Sequence, residues 1–269
     1  MAARTAFVLG GARNLGAMQV GMLGALVDAG ITPDLVLGCS VGAINGAAVA
    51  ADPTPEGVRR LEAMWRRVGR SEVWPTSPAR SALALMRRGV AINHGDGLRR
   101  VVEAAARKSF QDLAVPFACV ATALPHGTER WFDRGPLVPA VLASAALPAL
   151  LPPVEIDGTS YLDGAIVNVV PLAKAVELGA TRVFVLQIKD LGLAPPPSRR
   201  PLGALLAAHA LSRNARFVRE LRTVPAGVEV HVLPVVPWPR LRYDGFSRTA
   251  ELVEAARSSS AAYLAHALP

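Results

Sequence analysis

The feature that most constrains the fold of this chain is a serine between two glycines, where an apolar run gives way to a small-residue segment. The run from Asp34 reaches Gly38, and the segment after Ser40 has helical character because alanines recur in it. A serine on so sharp a strand-to-helix turn, in the pattern Gly-x-Ser-x-Gly, is a nucleophile elbow. Gly38 and Gly42 are expected because close packing, or a positive φ, excludes a side chain there.

Ser40 is thereby predicted to stand at the carboxyl end of a strand and at the amino end of a helix. The free N–H groups and the positive dipole end of a helix N-terminus both suit an oxyanion. The alternative is a Gly/Ser-rich connection that holds a phosphate without doing chemistry. The pentapeptide alone leaves both open, and other stretches of the chain have to distinguish them.

The N-terminal segment predicts a βαβ unit. Residues 5–9 form an apolar strand pattern, residues 10–16 a glycine-rich loop and residues 17–29 a helix that ends at Gly30. Later patterns predict strands at 116–122, 181–188 and 228–233 and helices at 171–179, 202–222 and 247–265. Strands that alternate with helices in this way indicate an α/β fold with a mainly parallel sheet.

A serine nucleophile needs a base to accept its proton. None of the five histidines has the sequence context of a catalytic one: His94, His126, His209, His231 and His266. Asp163 is the better candidate, since it closes a short predicted strand and is followed by the small residues Gly164 and Ala165. Partial burial would raise the pKa of this carboxylate towards working pH. The alternative is an ordinary Asp-Gly turn, as Asp157-Gly158 is expected to be.

The glycine-rich loop after the first strand is the third element. Gly10 and Gly11 expose backbone N–H groups beside a helix N-terminus, an arrangement that binds a phosphate or the oxyanion of a tetrahedral intermediate. The spacing from Gly10 and Gly11 to Gly16 fits neither the dinucleotide-binding pattern nor the P-loop pattern. The two usual nucleotide sites are therefore not indicated.

Together, these three pieces resemble the patatin-like phospholipase family. The resemblance covers roughly residues 5–190 and is supported by further segments: Gly38 to Gly46, Ala143 to Pro148, Pro152 to Val154 and Tyr161 to Gly164. It implies a three-layer α/β/α patatin-like fold with a mainly parallel central sheet. It also implies one domain over residues 1–269, which a C-terminal strand and helices in 191–269 complete.

For chemistry, the resemblance implies a Ser-Asp dyad without histidine. Ser40 would attack an acyl ester of a phospholipid, a lysophospholipid or a simpler ester, and Asp163 would act as base and then as general acid. N–H groups of the loop would form the oxyanion hole, at Gly10, Gly11, Ala12 and Arg13. No calcium, other metal or cofactor would be required.

The loop departs from the family pattern in one place. Ala12 stands where a glycine is frequent, and Asn14-Leu15 separates Arg13 from Gly16. Because a backbone donor survives an alanine, the oxyanion role is kept, while the individual donors stay open.

Two other functions remain open at this point. Acyltransferases of similar fold carry a histidine inside the elbow pentapeptide, where this chain has Cys39. A non-catalytic lipid- or phosphate-binding protein would need neither Ser40 nor Asp163. The presence of both residues in matching contexts favours the hydrolase.

Charge and cysteine usage bear on partners and location. The formal net charge of +8 favours attraction to polyanions such as anionic lipid surfaces. Cys39 and Cys119 have no metal-ligand spacing, and the N-terminus has no pattern of a leader, so a reducing, cytoplasmic setting is expected. The expected partner is a lipid or acyl-ester substrate, and no nucleic acid is expected.

Two segments combine leucines with arginines, as interfacial helices do. One is Leu83 to Met86 with Arg80, Arg87 and Arg88, inside an irregular segment 71–97 that could cover a site. The other is Leu202 to Arg222, with Arg213 and Arg216 among its arginines. The alternative for both is an ordinary helix with leucines packed inwards. Transient contact with an anionic membrane surface is therefore a hypothesis.

Overall fold

The computed structural model describes residues 3–11, 15–69, 95–188, 201–236 and 246–268, in which strands alternate with helices. The strands are β1 (Thr5–Leu9), β2 (Leu35–Cys39), β3 (Phe117–Ala123), β4 (Thr128–Phe132), β5 (Val154–Ile156), β6 (Thr159–Asp163), β7 (Arg182–Leu186) and β8 (Glu229–Val232). The helices are α1 (Gly16–Asp28), α2 (Val41–Ala51), α3 (Pro55–Arg67), α4 (Asp96–Ala105), α5 (Leu137–Ser144), α6 (Leu172–Glu177), α7 (Pro201–Arg222) and α8 (Thr249–Ala267).

Eight strands of the described ranges form one sheet in the order β5-β6-β3-β2-β1-β7-β8, with β4 paired to the other edge of β3. Strands β3, β2, β1, β7 and β8 run parallel, while β4, β5 and β6 are joined by antiparallel pairs. Every residue of β1 and β2 is buried, as expected where helices cover both faces of a parallel sheet. The predicted α/β class with a mainly parallel sheet is confirmed.

Alternate residues of the central strands contribute to two apolar cores, one on each face of the sheet. Phe7 of β1 packs with residues of α1, α2 and α8, whereas Val8 packs with residues of α6 and α7. Helices α1 and α8 approach so closely that a Cβ on Gly21 would lie 2.1 Å from the backbone oxygen of Val253. Helices on both faces make the three-layer α/β/α arrangement that the sequence resemblance implies.

Strand β3 carries the arrangement that positions the site. On one edge, β4 pairs along residues 119–123; on the other, β2 pairs up to Val120 and β6 takes over from Ala121. Strands β2 and β6 therefore run towards each other along the same edge. Their last residues, Cys39 and Asp163, pair with adjacent residues of β3.

Several predictions fall on residues outside the described ranges. The irregular segment 71–97 is described only from residue 95 onwards. Residues 12–14 of the glycine-rich loop, with Ala12 and Arg13, also lie outside, as does 191–200. The single domain over 1–269 stays a prediction, although β8 pairs with β7 in the common sheet.

Candidate active site

Ser40 lies on the turn between β2 and α2, in a backbone conformation that few non-glycine residues adopt. Its φ is 56° and its ψ is −124°. The flanking glycines make room for this turn: a Cβ on Gly38 would lie 2.5 Å from the backbone oxygen of Gly42, and one on Gly42 would lie 2.2 Å from that of Leu9. Close packing, and not a positive φ, therefore requires both glycines, while the positive φ falls on the serine itself. Such a conformation costs about 1–3 kcal/mol and persists only where the surroundings hold it.

The side chains of Ser40 and Asp163 meet because their strands, β2 and β6, approach each other along one edge of β3. The Ser40 hydroxyl donates to Asp163 Oδ2 at 2.6 Å, and Asp163 Oδ1 accepts from the N–H of Ala165 at 2.8 Å. Both residues are buried, with 4% of Ser40 and 1% of Asp163 exposed. The structure thus brings together two residues 123 positions apart, in the hydrogen-bonded geometry that a base needs to take the serine proton.

A short segment at the end of α5 accepts hydrogen bonds from the backbone N–H groups of Ser40 and Asp163. The sequence analysis assigned this segment no role. The N–H of Ser40 donates to Ser144 Oγ at 3.0 Å, and the N–H of Asp163 donates to the backbone oxygen of Ala146 at 2.9 Å. Ser144 is completely buried. Its position within the stretch Ala143 to Pro148, which resembles the family, is the signal that could have found it.

The glycine-rich loop reaches the site, but two of its predicted donors are already engaged. The N–H of Gly10 donates to the backbone oxygen of Leu186 at 3.3 Å, and the N–H of Gly11 to that of Val169 at 3.0 Å. This corrects the prediction that these two N–H groups are exposed for an oxyanion. The absence of a side chain at Gly11 leaves room for Ser40, since a Cβ there would lie 3.2 Å from Ser40 Cβ. Ala12 and Arg13 lie outside the described residues, so their role stays a prediction.

The N-terminus of α2 offers a donor that the sequence analysis did not single out. Val41 is the first helical residue after Ser40, and its N–H has no acceptor among the residues the structure describes. The N–H of the residue after the nucleophile is one of the two usual oxyanion donors at a nucleophile elbow. The positive end of the helix dipole adds to its suitability.

A comparison with known protein families agrees with this geometry. The profile of the patatin-like phospholipase family matches residues 7–176, which include the glycine-rich loop, Ser40 and Asp163. The chain belongs to the patatin-like phospholipase family.

Among relatives of this patatin-like chain is an uncharacterised NTE family protein of Mycobacterium tuberculosis. The two are 28% identical over 223 residues, which is 83% of this chain and 59% of the relative. Lysophospholipase nte1 of Aspergillus terreus is 29% identical over 192 residues, 68% of this chain and 12% of that protein. The chain thus spans little more than half the length of the first relative. Among solved structures, VipD from Legionella pneumophila has a TM-score of 0.47 and 14% identity, over 98% of this chain and 67% of VipD.

His231 of this patatin-like chain lies in the same sheet as the strand that precedes Ser40, but several strands away from it. His231 is on β8, and β1 and β7 separate that strand from β2. Its ring bonds to Glu229 at 2.7 Å and to Tyr263 at 3.3 Å and stacks on Phe184. His94 and the side chain of His209 lie outside the described residues.

The two cysteines are buried. Neither Cys39 nor Cys119 has any exposed surface. Burial raises the pKa of the Cys119 thiol far above its ordinary value, which disfavours the reactive thiolate. Ser40, by contrast, has a carboxylate within hydrogen-bond distance of its hydroxyl.

The second half of the leucine- and arginine-rich helix α7 packs against the rest of the protein. Arg216 forms ion pairs with Glu129 and Glu220, and its Nη1 donates to the backbone oxygen of Val167 at 3.0 Å. Phe217 is buried. These contacts tie Arg216 to neighbouring segments, and membrane contact of this helix stays a hypothesis. Leu211 is exposed. The side chains of Leu202, Leu205, Leu206 and Arg213, like those of the other predicted interfacial segment, lie outside the described residues.

Two further findings concern the described residues as a whole. None of their helices combines the length and the apolar character needed to cross a membrane. They also contain no cluster of three or more histidine, cysteine or acidic side chains arranged to hold a metal ion.

Proposed function

We propose that this protein hydrolyses carboxylic ester bonds of lipids, with Ser40 as nucleophile and Asp163 as general base and acid. The observation that carries the proposal is the 2.6 Å hydrogen bond from the Ser40 hydroxyl to Asp163 Oδ2, at a strained elbow on the carboxyl end of β2. Membership of the patatin-like phospholipase family supports it, and so does the name of the Aspergillus relative, a lysophospholipase.

The first half of the reaction transfers the acyl group to the enzyme. Ser40 Oγ attacks the ester carbonyl carbon while its proton passes to Asp163 Oδ2, and the carbonyl oxygen becomes an oxyanion. The intermediate collapses when the bond to the alcohol oxygen breaks, and Asp163 returns the proton to that oxygen. The alcohol leaves, and an acyl ester on Ser40 remains.

The second half releases the acid and restores the dyad. Asp163 takes a proton from water, the hydroxide oxygen attacks the acyl carbon, and the second intermediate collapses as Ser40 Oγ regains the proton. Asp163 can hold a fixed orientation through both halves, because its other oxygen is bound by the N–H of Ala165. No histidine is needed in either half.

The oxyanion in both halves requires N–H donors that point at it. We assign one to Val41, which follows Ser40 at the start of α2. The remaining donors are proposed at Ala12 and Arg13 of the glycine-rich loop. Gly10 and Gly11 instead anchor that loop through their bonds to Leu186 and Val169.

A serine-reactive probe tests the proposal directly. Wild type and Ser40→Ala are treated with a fluorophosphonate, and turnover of a p-nitrophenyl ester is followed in the same samples. Ser260→Ala is the matched control, because Ser260 is equally buried, lies in α8 and has no hydrogen-bond partner among the described residues. We expect labelling and turnover in wild type and Ser260→Ala, and neither in Ser40→Ala.

The opposite results would favour a different function. Labelling that persists in Ser40→Ala would mean that another residue is the nucleophile. Absence of labelling and turnover in correctly folded wild type would favour the non-catalytic lipid- or phosphate-binding alternative. If the expected result is obtained instead, turnover of phospholipid and lysophospholipid substrates under the same conditions would distinguish the lipid class.

A further inference from the structure

Three buried polar side chains lie beside the two described ends of the glycine-rich loop, Gly10 and Gly16. They come from three consecutive helices: Gln19 from α1, Asn45 from α2 and Trp65 from α3. Gln19 and Asn45 have no exposed surface, and Trp65 is 5% exposed. We call these three residues the amide relay. The proposed mechanism assigns them no role.

Hydrogen bonds join the three side chains in series. Trp65 Nε1 donates to Asn45 Oδ1 at 2.8 Å, and Asn45 Nδ2 donates to Gln19 Oε1 at 2.9 Å. The remaining N–H groups of the two amides reach three backbone oxygens, those of Gly16 (3.0 Å), Gly10 (2.8 Å) and Leu186 (3.0 Å). Every amide N–H of the relay therefore has an acceptor.

The indole of Trp65 determines which group donates and which accepts in each of these hydrogen bonds. An indole N–H can only donate, so the oxygen of the Asn45 amide must face Trp65. Its nitrogen then faces Gln19 and the loop, and Gln19 has to turn its oxygen towards Asn45. The Gln19 nitrogen is left to donate to two backbone oxygens. A rotation of either amide by 180° would place like groups against each other and leave buried groups unpaired.

The backbone atoms that the relay holds are the two ends of the glycine-rich loop. Gly10 is its first residue and Gly16 its last. Gly16 also packs tightly on the elbow, because a Cβ there would lie 2.3 Å from Val41 Cγ2 and 2.6 Å from the Trp65 ring. Both ends of the loop are thereby tied to α2, the helix that begins directly after Ser40.

We propose that Gln19, Asn45 and Trp65 are positioning residues, which fix the two described ends of the glycine-rich loop, Gly10 and Gly16, relative to α2 and Ser40. This inference rests on the proposed function. An error of about 1 Å in the placement of a catalytic group costs about a hundredfold in rate. Loss of the relay is therefore expected to lower kcat, with KM little changed.

The test removes the donor that orders the relay. Trp65→Phe keeps an aromatic ring against Gly16 but deletes the indole N–H. We expect kcat for the p-nitrophenyl ester to fall about 10- to 100-fold while KM changes by less than about twofold. Trp131→Phe is the matched control, since it deletes an indole N–H that donates to Glu129 at 3.0 Å on β4. The control should keep wild-type kcat.

A double-mutant cycle asks whether the residues act as one unit. Gln19→Met removes the amide at the other end with little change in shape. If the relay is a unit, Trp65→Phe lowers kcat far less in the Gln19→Met background than in wild type. Independent losses that simply multiply would overturn the proposal, as would a kcat for Trp65→Phe equal to that of the control.

Hydrogen exchange gives a readout that does not depend on activity. The amide protons of Gly10 and Gly11 are bonded to Leu186 and Val169, so a loosened loop should exchange them faster in Trp65→Phe than in Trp131→Phe. If these amide protons exchange no faster in Trp65→Phe than in Trp131→Phe, the proposed role of the relay is overturned, even if the enzyme is active. If wild type has no Ser40-dependent turnover, the proposed function fails, and exchange alone decides whether the relay holds the loop. If Gln19→Met does not fold, Trp65→Phe and exchange still decide.

Discussion

Two places in the same sheet join a carboxylate to another polar side chain at almost the same distance. At the elbow, Ser40 Oγ lies 2.6 Å from Asp163 Oδ2. On strand β8, His231 Nε2 lies 2.7 Å from Glu229 Oε1. By residue type alone, the second pair looks more like catalytic machinery, because histidine is the commonest general base. The surroundings of the two pairs make them different.

The elbow pair lies where strands end, and the histidine pair lies within a strand. Ser40 follows the last residue of β2, on a strained turn beside a helix N-terminus. His231 is one of the four residues of β8, its ring is stacked on Phe184, and its partner Glu229 is about half exposed. The other ring nitrogen of His231 is hydrogen-bonded to the phenol hydroxyl of Tyr263 and not to a serine. We therefore expect position in the topology, more than residue type, to distinguish a catalytic pair from a packing pair.

The largest effect should come from removing the charge of the elbow pair. Asp163→Asn keeps the shape but cannot accept the serine proton, and we expect ester turnover to fall about 10³-fold, within the range for loss of a general base. Asp157→Asn is the matched control, because Asp157 lies in the β5-β6 turn at a φ of 50° that asparagine tolerates. Near-normal turnover by Asp163→Asn would mean that the elbow pair is no more catalytic than the histidine pair.

A smaller effect should follow from loosening the elbow without touching the pair. Ser144→Ala leaves the buried N–H of Ser40 without its acceptor, which costs about 1–3 kcal/mol of folding free energy. We expect about tenfold lower kcat as the strained turn relaxes. Urea denaturation and turnover measure the two effects. Ser260→Ala, which removes an unbonded hydroxyl, should lose neither stability nor activity, and equal behaviour of the two variants would contradict the role of Ser144.

The smallest effect on turnover is predicted for the histidine pair. His231→Gln removes the stacked ring from Phe184, and the free energy of unfolding should fall by about 1 kcal/mol, as for other aromatic pairs. Turnover at a temperature well below unfolding should match wild type. A large loss of turnover in a folded His231→Gln would remove the distinction between the two regions.

The local parts of the fold could be predicted from sequence because each depends on a short pattern. The buried runs at β1, β2 and β7 indicated parallel strands, and the spacing around Ser40 indicated the elbow. The role of Asp163 rested more on resemblance than on pattern, since a lone Asp-Gly is usually a turn. Its contact with Ser40 follows from β2 and β6 sharing one edge of β3, which no local pattern encodes.

The parts that could not be predicted depend on contacts between distant segments. Ser144 bonds to a residue 104 positions away, and the bonds of Gln19 to Asn45 and of Asn45 to Trp65 join three helices. The N–H groups of Gly10 and Gly11 were expected to be exposed because their acceptors come from later in the chain. Glycines in a loop indicate close approach of backbones, but not which atoms approach.

The meeting of β2 and β6 along β3 also has a consequence for folding. Neither half of the reactive pair has its partner until three strands from distant parts of the chain have assembled. In the proposed mechanism, a partly folded chain that has built the elbow alone has a serine without its base. The dyad is complete only once β2 and β6 have both paired with β3.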